Sequence, residues 1–398
     1  MDRAGGNLYF LDGGNIRKVS VATGVLSTLS LSGQTLSYPN DLALDVSGKL
    51  YVADGNRVRQ VQANGTVTTI AGSGMYGSAG DGGPATLASL SSQLSVAVDT
   101  TGNVYIADTF NHRVRFVTKS TGYISNFAGT NGVSDVYGDG GPATSAALHT
   151  LTTVRLDSKN TLYIASGTNG YSQSMHALVS ARVRAVDAAT GIINIVYGGG
   201  TKQVDHPAPG SPATSAYMWY GGGMLEVDTP TGDFFVTDRL PSNNKGVVRY
   251  VQRSTGAMWT VAGGGSVTGS SADGGPATDS SAWSSGLGLA FDATRGQLYV
   301  SDSDSHVIHK VALKFPNITS APPTASPTTA ATAAAPPVPS VGAGKPHGAA
   351  HPTAPKHAKH PAAAGHTSMT RAWGTQTKRG NVDVNVDVEV GINLRGVA

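Results

Sequence analysis

The sequence predicts an all-β fold, a six-bladed β-propeller whose first and last blades are incomplete, followed by a disordered tail rich in Pro, Ala, Thr and His. Three observations predict it. A strand motif recurs six times, as LYFLD (8–12), LYVAD (50–54), VYIAD (104–108), LYIAS (162–166), FFVTD (234–238) and LYVSD (298–302). Each copy leads into a second run that ends in a shared valine: Val19, Val61, Val117, Val186, Val251 and Val311. Gly supplies 52 of the 398 residues and charged side chains only 13%, so turns are frequent and the surface is largely neutral and polar.

The unit is clearest from Asp99 to Gly129. Gly102 and Asn103 form a turn, VYIAD and RVRFV follow across a polar turn, and a Ser-Thr-Gly turn leads to YISNFAG; LSVAVD stands ahead of them. Short β-branched and aromatic runs at hairpin spacing make a four-stranded antiparallel meander. One such sheet cannot bury both its faces, so the copies must stack on one another. A ring of them also removes most exposed edges.

In chain order, unit one (5–31) lacks a leading strand, so the chain is expected to begin inside a blade; it passes through TLSYPNDLALD into unit two. Long connectors follow units two, three and five (71–90, 128–148 and 262–283), and a degenerate one with SPATSAYMW (211–219) follows unit four. Each joins the outer strand of one blade to the inner strand of the next, so all are expected on one face of the ring. Asp-Gly-Gly-Pro supplies a tight turn, and the Ala-Thr-x-x-x-Leu after it reads as one helical turn whose Leu90 or Leu148 tucks against a blade. Met218 or Trp219, and Trp283, fall at about that position in the later copies. Those tryptophans are either anchors of the connectors or platforms on which a ligand stacks.

Asn111 and His112 ahead of RVR stand where NHL repeats carry their Asn-His signature, and the pattern over about residues 5–313 resembles that family. The GDGGPAT connectors resemble those of teneurin-type NHL domains. The resemblance implies a non-catalytic propeller that serves as a protein- or glycan-binding or adhesion scaffold through its connector face. The alternative is a metal-dependent hydrolase or lyase with its site in the central channel. Pro39-Asn40-Asp41 is similar to one piece of the divalent-ion site of gluconolactonase-like propellers, whose early Glu-Gly-Pro and later Ser-Asn-Gly pieces are missing here. Amidating lyases, which also resemble NHL repeats, hold zinc with histidines. Here His112, His149, His176, His206, His306 and His309 fall mostly in repeat slots or loops. No nucleophile elbow, P-loop or HExxH occurs. No catalytic residue, metal ligand or cofactor is assigned.

Residues that recur blade after blade read as scaffold, since a catalytic site is needed once. This covers the Asp that ends the recurring motif (Asp12, Asp54, Asp108, Asp238, Asp302) and the Arg of the next strand (Arg17, Arg59, Arg115, Arg184, Arg249). Function is expected where the repeat breaks. Two residues before the Asp that closes each innermost strand stand Ala43, Ala97, Arg155, Glu226 and Ala290, and Glu226 is the one Glu within residues 1–313. Facing inner strands bring Arg155 and Glu226 within ion-pair reach beside the channel, either as an inter-blade salt bridge or as a pair facing a ligand. The candidate ligand-binding residues are therefore Arg155, Glu226, Trp219 and Trp283. A second break is unit four, where Ser166 replaces the Asp and residues 167–181 lengthen the turn.

Residues 1–313 carry 20 basic and 22 acidic side chains, net −2, and residues 314–398 carry 8 and 3, net +5. A ring of that charge argues against a nucleic-acid partner, whose binding rests on several phosphate contacts. No Cys is present, which removes disulfides and thiolate chemistry, and no apolar run is long enough to span a membrane. Residues 314–370 read as a disordered linker. Asn317-Ile318-Thr319 would accept a glycan, and the Ser/Thr/Pro composition favours an extracellular setting. Within 371–398, NVDVNVDVEVGINL (381–394) alternates Val with polar residues and reads as a strand. Residues 381–390 are expected to close the ring at the free outer edge of unit six.

Overall fold

The computed structural model describes residues 1–130, 137–167, 171–172, 177–178, 181–200, 207–219, 223–240, 242–265, 277–279, 288–302, 306–313 and 392–393. Six sheets follow one another along the chain. Blade one holds β1 (Asn7–Asp12), β2 (Asn15–Ser20) and β3 (Leu26–Thr28). Blade two holds β4 (Pro39–Leu44), β5 (Leu50–Asp54), β6 (Arg57–Val61) and β7 (Val67–Ala71). Blade three holds β8 (Leu94–Val98), β9 (Val104–Asp108), β10 (Arg113–Val117) and β11 (Ile124–Ala128). Blade four is β12 (Leu151–Leu156), β13 (Leu162–Ser166), β16 (Arg182–Val186) and β17 (Ile193–Gly198), with the small pair β14 (Tyr171–Ser172) and β15 (Ala177–Leu178) in its lengthened turn. Blade five adds β18 (Ser211–Pro212) outside β19 (Leu225–Val227), β20 (Phe234–Arg239), β21 (Gly246–Gln252) and β22 (Ala257–Gly263). Blade six is β23 (Gly288–Asp292), β24 (Gln297–Asp302), β25 (Val307–Ala312) and β26 (Ile392–Asn393). The incomplete first blade is as expected. The last is completed by Ile392 and Asn393, just past the segment 381–390, which lies outside the described residues.

The repeated motif makes a ring because its alternate side chains face opposite neighbours. Leu50 and Val52 pack toward blade one, with Ile16, while Tyr51 and Ala53 pack toward blade three, with Val96 and Ile106. The same division repeats at Val104/Ile106 against Tyr105/Ala107, at Leu162/Ile164 against Tyr163/Ala165, and at Leu298/Val300 against Tyr299. Six apolar clusters result, one per junction. The last joins Tyr299 and Ile308 of blade six to Leu8 and Val19 of blade one, so the ring closes. Both faces of each sheet are covered, which is why LYVAD, VYIAD and LYIAS are buried at every position instead of at every second one. Arg295 ties the closure by donating from Nη1 to the Gly5 carbonyl at 2.7 Å.

The connectors protect the outer edges. Gly82 and Ala85 donate to Ile124 and Gly122, and Ile124 donates back to Gly83, so the turn leaving blade two pairs with the outer strand of blade three. Gly140 and Ala143 do the same for Ile193 and Gly191 of blade four, and β18 for β22 of blade five. Unpaired N–H and C=O groups on an edge strand recruit other chains, and these short additions occupy them. The helical turns lie at Ala85–Leu87 and Ala143–Ser145, and Leu90 and Leu148 are fully buried, as the sequence predicts.

A glycine ends the outer strand of blades two to five, at Gly72, Gly129, Gly198 and Gly263, each with φ between +80° and +90°. A Cβ on Gly129 would stand inside contact distance of the His112 carbonyl and 2.8 Å from Arg113 Cα. Gly129→Ala is expected to cost about 2–3 kcal/mol, combining strain with a backbone collision. At Gly122 (φ +68°) nothing lies within 4 Å, and Ala there should cost only about 1 kcal/mol. Denaturant unfolding of the two variants checks the difference.

Candidate functional site

The inner strands β4, β8, β12, β19 and β23 carry a polar network along the central channel. Arg155 is its centre. Its Nη1 and Nη2 donate to Asp41 Oδ2 and Oδ1 at 2.9 and 3.0 Å, a fork-to-fork pair that reaches from blade four to blade two. Its Nε lies 3.5 Å from Glu226 Oε2 in blade five. Ser95 of blade three fills the gap between the two partners: its hydroxyl donates to Asp41 Oδ2 at 2.5 Å and accepts from the Val154 amide at 3.1 Å. The Val96 amide adds a donor to Asp41, and the Phe291 amide of blade six donates to Glu226 Oε1 at 3.4 Å. Five blades are thereby joined through one guanidinium and two carboxylates.

Burial opposes the Arg155 charge, yet Asp41 and then Glu226 outweigh it and hold the guanidinium above its ordinary pKa. Burial pushes the Glu226 carboxyl up, against the pull of Arg155 and of the amino terminus. A carboxyl raised in this way keeps its proton in the folded chain where the unfolded chain has lost it. Its stabilising contribution is therefore complete below the unfolded value of about 4.3 and fades as pH rises through the folded value. The stability difference between the parent chain and Glu226→Gln is expected to fall as pH rises from about 4 to 8. Thermal melts across that range measure it, and a difference that grows with pH would mean that Arg155 outweighs burial.

The sequence places Arg155 beside Glu226, and the structure brings them together. It also adds Asp41 as the dominant partner, which sequence reasoning singled out only for its likeness to a metal-site piece. That carboxylate is bridged by Arg155, Ser95 and two backbone amides, including its own neighbour Leu42 at 2.9 Å. A cation would compete with the guanidinium for it. Among the described residues no group of three or more His, Cys, Asp or Glu side chains is placed to share a metal ion.

The tryptophans lie apart from this network. Trp283 is outside the described residues. Trp219 is on the connector after blade four, 36% exposed, with its ring 5.9 Å from that of Tyr217 and its amide donating to Asp238 Oδ1 at 3.0 Å. Met218, not Trp219, fills the buried slot of Leu90 and Leu148. Other connectors also present apolar side chains to solvent: Met75, Tyr76 and Leu87 after blade two, and Tyr137 after blade three. Tyr38 and Phe110 are exposed nearby in sequence, at the entry to β4 and after β9.

The recurring charges are used by the blades. Asp54 Oδ1 accepts from the Ser37 and Tyr38 amides, Asp108 Oδ1 from Ser91, and Asp238 Oδ1 from Trp219, each holding the chain as it enters an inner strand. Arg113 and Arg115 of blade three both grip Asp81 in the preceding connector, at 2.9 and 2.8 Å, and Arg184 of blade four grips Asp139 at 3.0 Å. His112 and His306 adopt left-handed backbone conformations, φ +55° and +57°, which accounts for their shared slot.

No family model matches the chain. Mouse teneurin-4 is 26% identical over 309 residues, covering 66% of this chain and 10% of the relative. Mouse teneurin-3 is 28% identical over 224 residues, covering 48% and 8%. The chain thus spans about a tenth of the length of the teneurins it matches. Among solved structures, an auxiliary nutrient binding protein of Bacteroides ovatus superposes with a TM-score of 0.53 at 15% identity, over 78% of this chain and 68% of that one. Its counterpart from Bacteroides thetaiotaomicron gives 0.51 at 14% identity, over 77% and 66%. These structures share the fold. The closed ring of six blades, edge-pairing connectors of the GDGGPAT type and sequence similarity to teneurins together fit a teneurin-like NHL propeller.

Proposed function

We propose that this propeller is a non-catalytic binding scaffold that takes a protein or glycan partner on its connectors. The observation that carries the reading is the exposure of Met75, Tyr76, Leu87, Tyr137 and Trp219 on three successive connectors whose backbones are pinned to the blades. Aromatic side chains on a rigid frame offer large contact area at small entropic cost, and they stack on sugar rings or fill protein pockets. The similarity to teneurins and the fold shared with nutrient-binding proteins agree with a binding role. The fixed Arg155 network then serves to hold the ring, so that the connectors of neighbouring blades keep their spacing.

The test is binding of the full chain to arrays of glycans and of extracellular protein domains, repeated with Tyr76→Ala, Tyr137→Ala and Trp219→Ala combined. These side chains are exposed, so the melting temperature should stay within a few degrees. Binding is expected to fall at least about tenfold, the loss of about 1.4 kcal/mol. Binding unchanged in the triple variant would remove the connectors from the site.

A further inference from the structure

Blade four departs from its neighbours at one buried position. In four blades the carboxylate that ends the recurring strand stands beside the arginine of the next strand: Asp12 with Arg17 at 2.8 Å, Asp54 with Arg59 at 3.8 Å, Asp108 with Arg115 at 3.6 Å, and Asp238 with Arg249. In blade four the strand ends in Ser166, while Arg184 stays. The register is unchanged. Ser166 opposes Arg182 as Asp108 opposes Arg113, and Ile164 opposes Arg184 as Ile106 opposes Arg115. Ser166 is 1% exposed, and its hydroxyl makes no hydrogen bond among the described residues. The Arg184 side chain is fully buried and donates to the Ala147 carbonyl at 2.8 Å and to Asp139 at 3.0 Å.

The exchange changes both charge and room. Blade three sets Arg113 and Arg115 against two carboxylates, Asp81 and Asp108. Among the described residues, the equivalent Arg182 and Arg184 share the single carboxylate of Asp139. In blade five, Tyr197 of the preceding outer strand reaches Asp238 with its hydroxyl at 2.8 Å. Its counterpart ahead of blade four is Ala128, too short to take the carboxylate's place. A further donor belongs to the same position. In blades two, three and five the amide after the connector's buried apolar residue donates to the carboxylate: Ser37 after Leu36, Ser91 after Leu90, Trp219 after Met218. In blade four His149 follows Leu148.

We propose that blade four binds one halide ion, chloride in ordinary media, where the other blades hold their aspartate carboxylate. The Ser166 hydroxyl and the Arg184 guanidinium are its main donors, and the His149 amide takes the part of Ser91 and Trp219. A hydroxyl, a guanidinium and an amide all donate, so the ligand they suit is an acceptor that carries negative charge. A water would satisfy the hydroxyl and leave the charge of the two arginines as it was; an anion does both. Exchanging Asp for Ser frees about the room of a single water, which suits a monatomic ion and not a tetrahedral oxyanion.

The test is thermal melting of the full chain while chloride replaces gluconate at constant ionic strength. The Tm is expected to rise by about 2 °C or more between about 1 and 100 mM chloride and then to level off, as it does for a ligand that binds the folded state alone. Bromide should act in the same way, and sulfate should not. Ser166→Asp carries its own anion, so its Tm should stay flat through the same titration. Ser166→Ala removes one donor and should move the midpoint of the titration up about tenfold. The chloride NMR line reports binding without reference to stability: the parent chain is expected to broaden it, and Ser166→Asp to broaden it less. A Tm that ignores chloride, that rises as much with sulfate, or that rises as much in Ser166→Asp would overturn the site, as would equal broadening by the two proteins.

Discussion

Arg155→Ala is expected to destabilise the chain by about 3–5 kcal/mol, the cost of leaving a buried charge without its partner. Asp41 would lose two charge-assisted hydrogen bonds in a channel where it is 8% exposed, and Glu226 would lose its cation. Arg155→Lys should recover only part of the loss. An ammonium cannot donate in parallel to both Asp41 oxygens and also face Glu226. Combining Arg155→Met with Asp41→Asn and Glu226→Gln removes every charge at once, and this triple variant is expected to regain most of the lost stability. Denaturant unfolding of the four proteins separates the two explanations. If Arg155→Ala and the triple variant fall equally, the cost lies in packing; recovery in the triple variant assigns it to the stranded carboxylates.

The ring was legible in the sequence, and the network at its centre only in part. The unbroken apolar run inside LYVAD and its copies implies that both faces are covered, and six copies imply six junctions. These are local patterns, and the structure reproduces them strand by strand. Arg155 and Glu226 were legible because they stand out against small residues at one repeat slot. Asp41 was not, because its pairing depends on an arginine 114 residues away that passes over the inner strand of an intervening blade. Nothing in local spacing reports a contact across the channel. Met218 and Trp219 show another limit. They are adjacent and both large, and the single-residue choice of which one turns inward was set by the pairing of Met218 with Ala181. The role of the connectors as edge strands also escaped the sequence, since Gly-Gly-Pro reads as a turn whether or not it lies against a neighbour.

Arg115→Ala is the second large effect expected, again about 3–5 kcal/mol. The Arg115 side chain is fully buried between the Asp81 carboxylate, 2.8 Å away, and Asp108, 3.6 Å away and itself fully buried. Removal leaves Arg113, whose Nε is 3.8 Å distant, as the remaining cation beside Asp108, whose Oδ1 keeps its bonds from the Ser91 amide and Asn111. Asp81→Asn should cost much less, about 1 kcal/mol, because Asp81 is 36% exposed and water replaces the lost charge. The chain itself has made this change once. In the connector after blade four Pro209 stands where Asp81 and Asp139 stand, and in blade five Val247 stands where Arg113 and Arg182 stand. The arginine nearest the connector left together with the carboxylate it gripped, while Arg249, equivalent to Arg115, stayed with Asp238. The Arg–Asp pair within the blade is therefore kept in blade five as in blades one to three, whereas the connector carboxylate is an addition that can be dispensed with if its second arginine goes too. Asp81→Pro combined with Arg113→Val should accordingly unfold closer to the parent chain than Arg115→Ala, as read from midpoints in urea. A double variant as unstable as Arg115→Ala would show that the connector clamp, and not the pair within the blade, holds this junction.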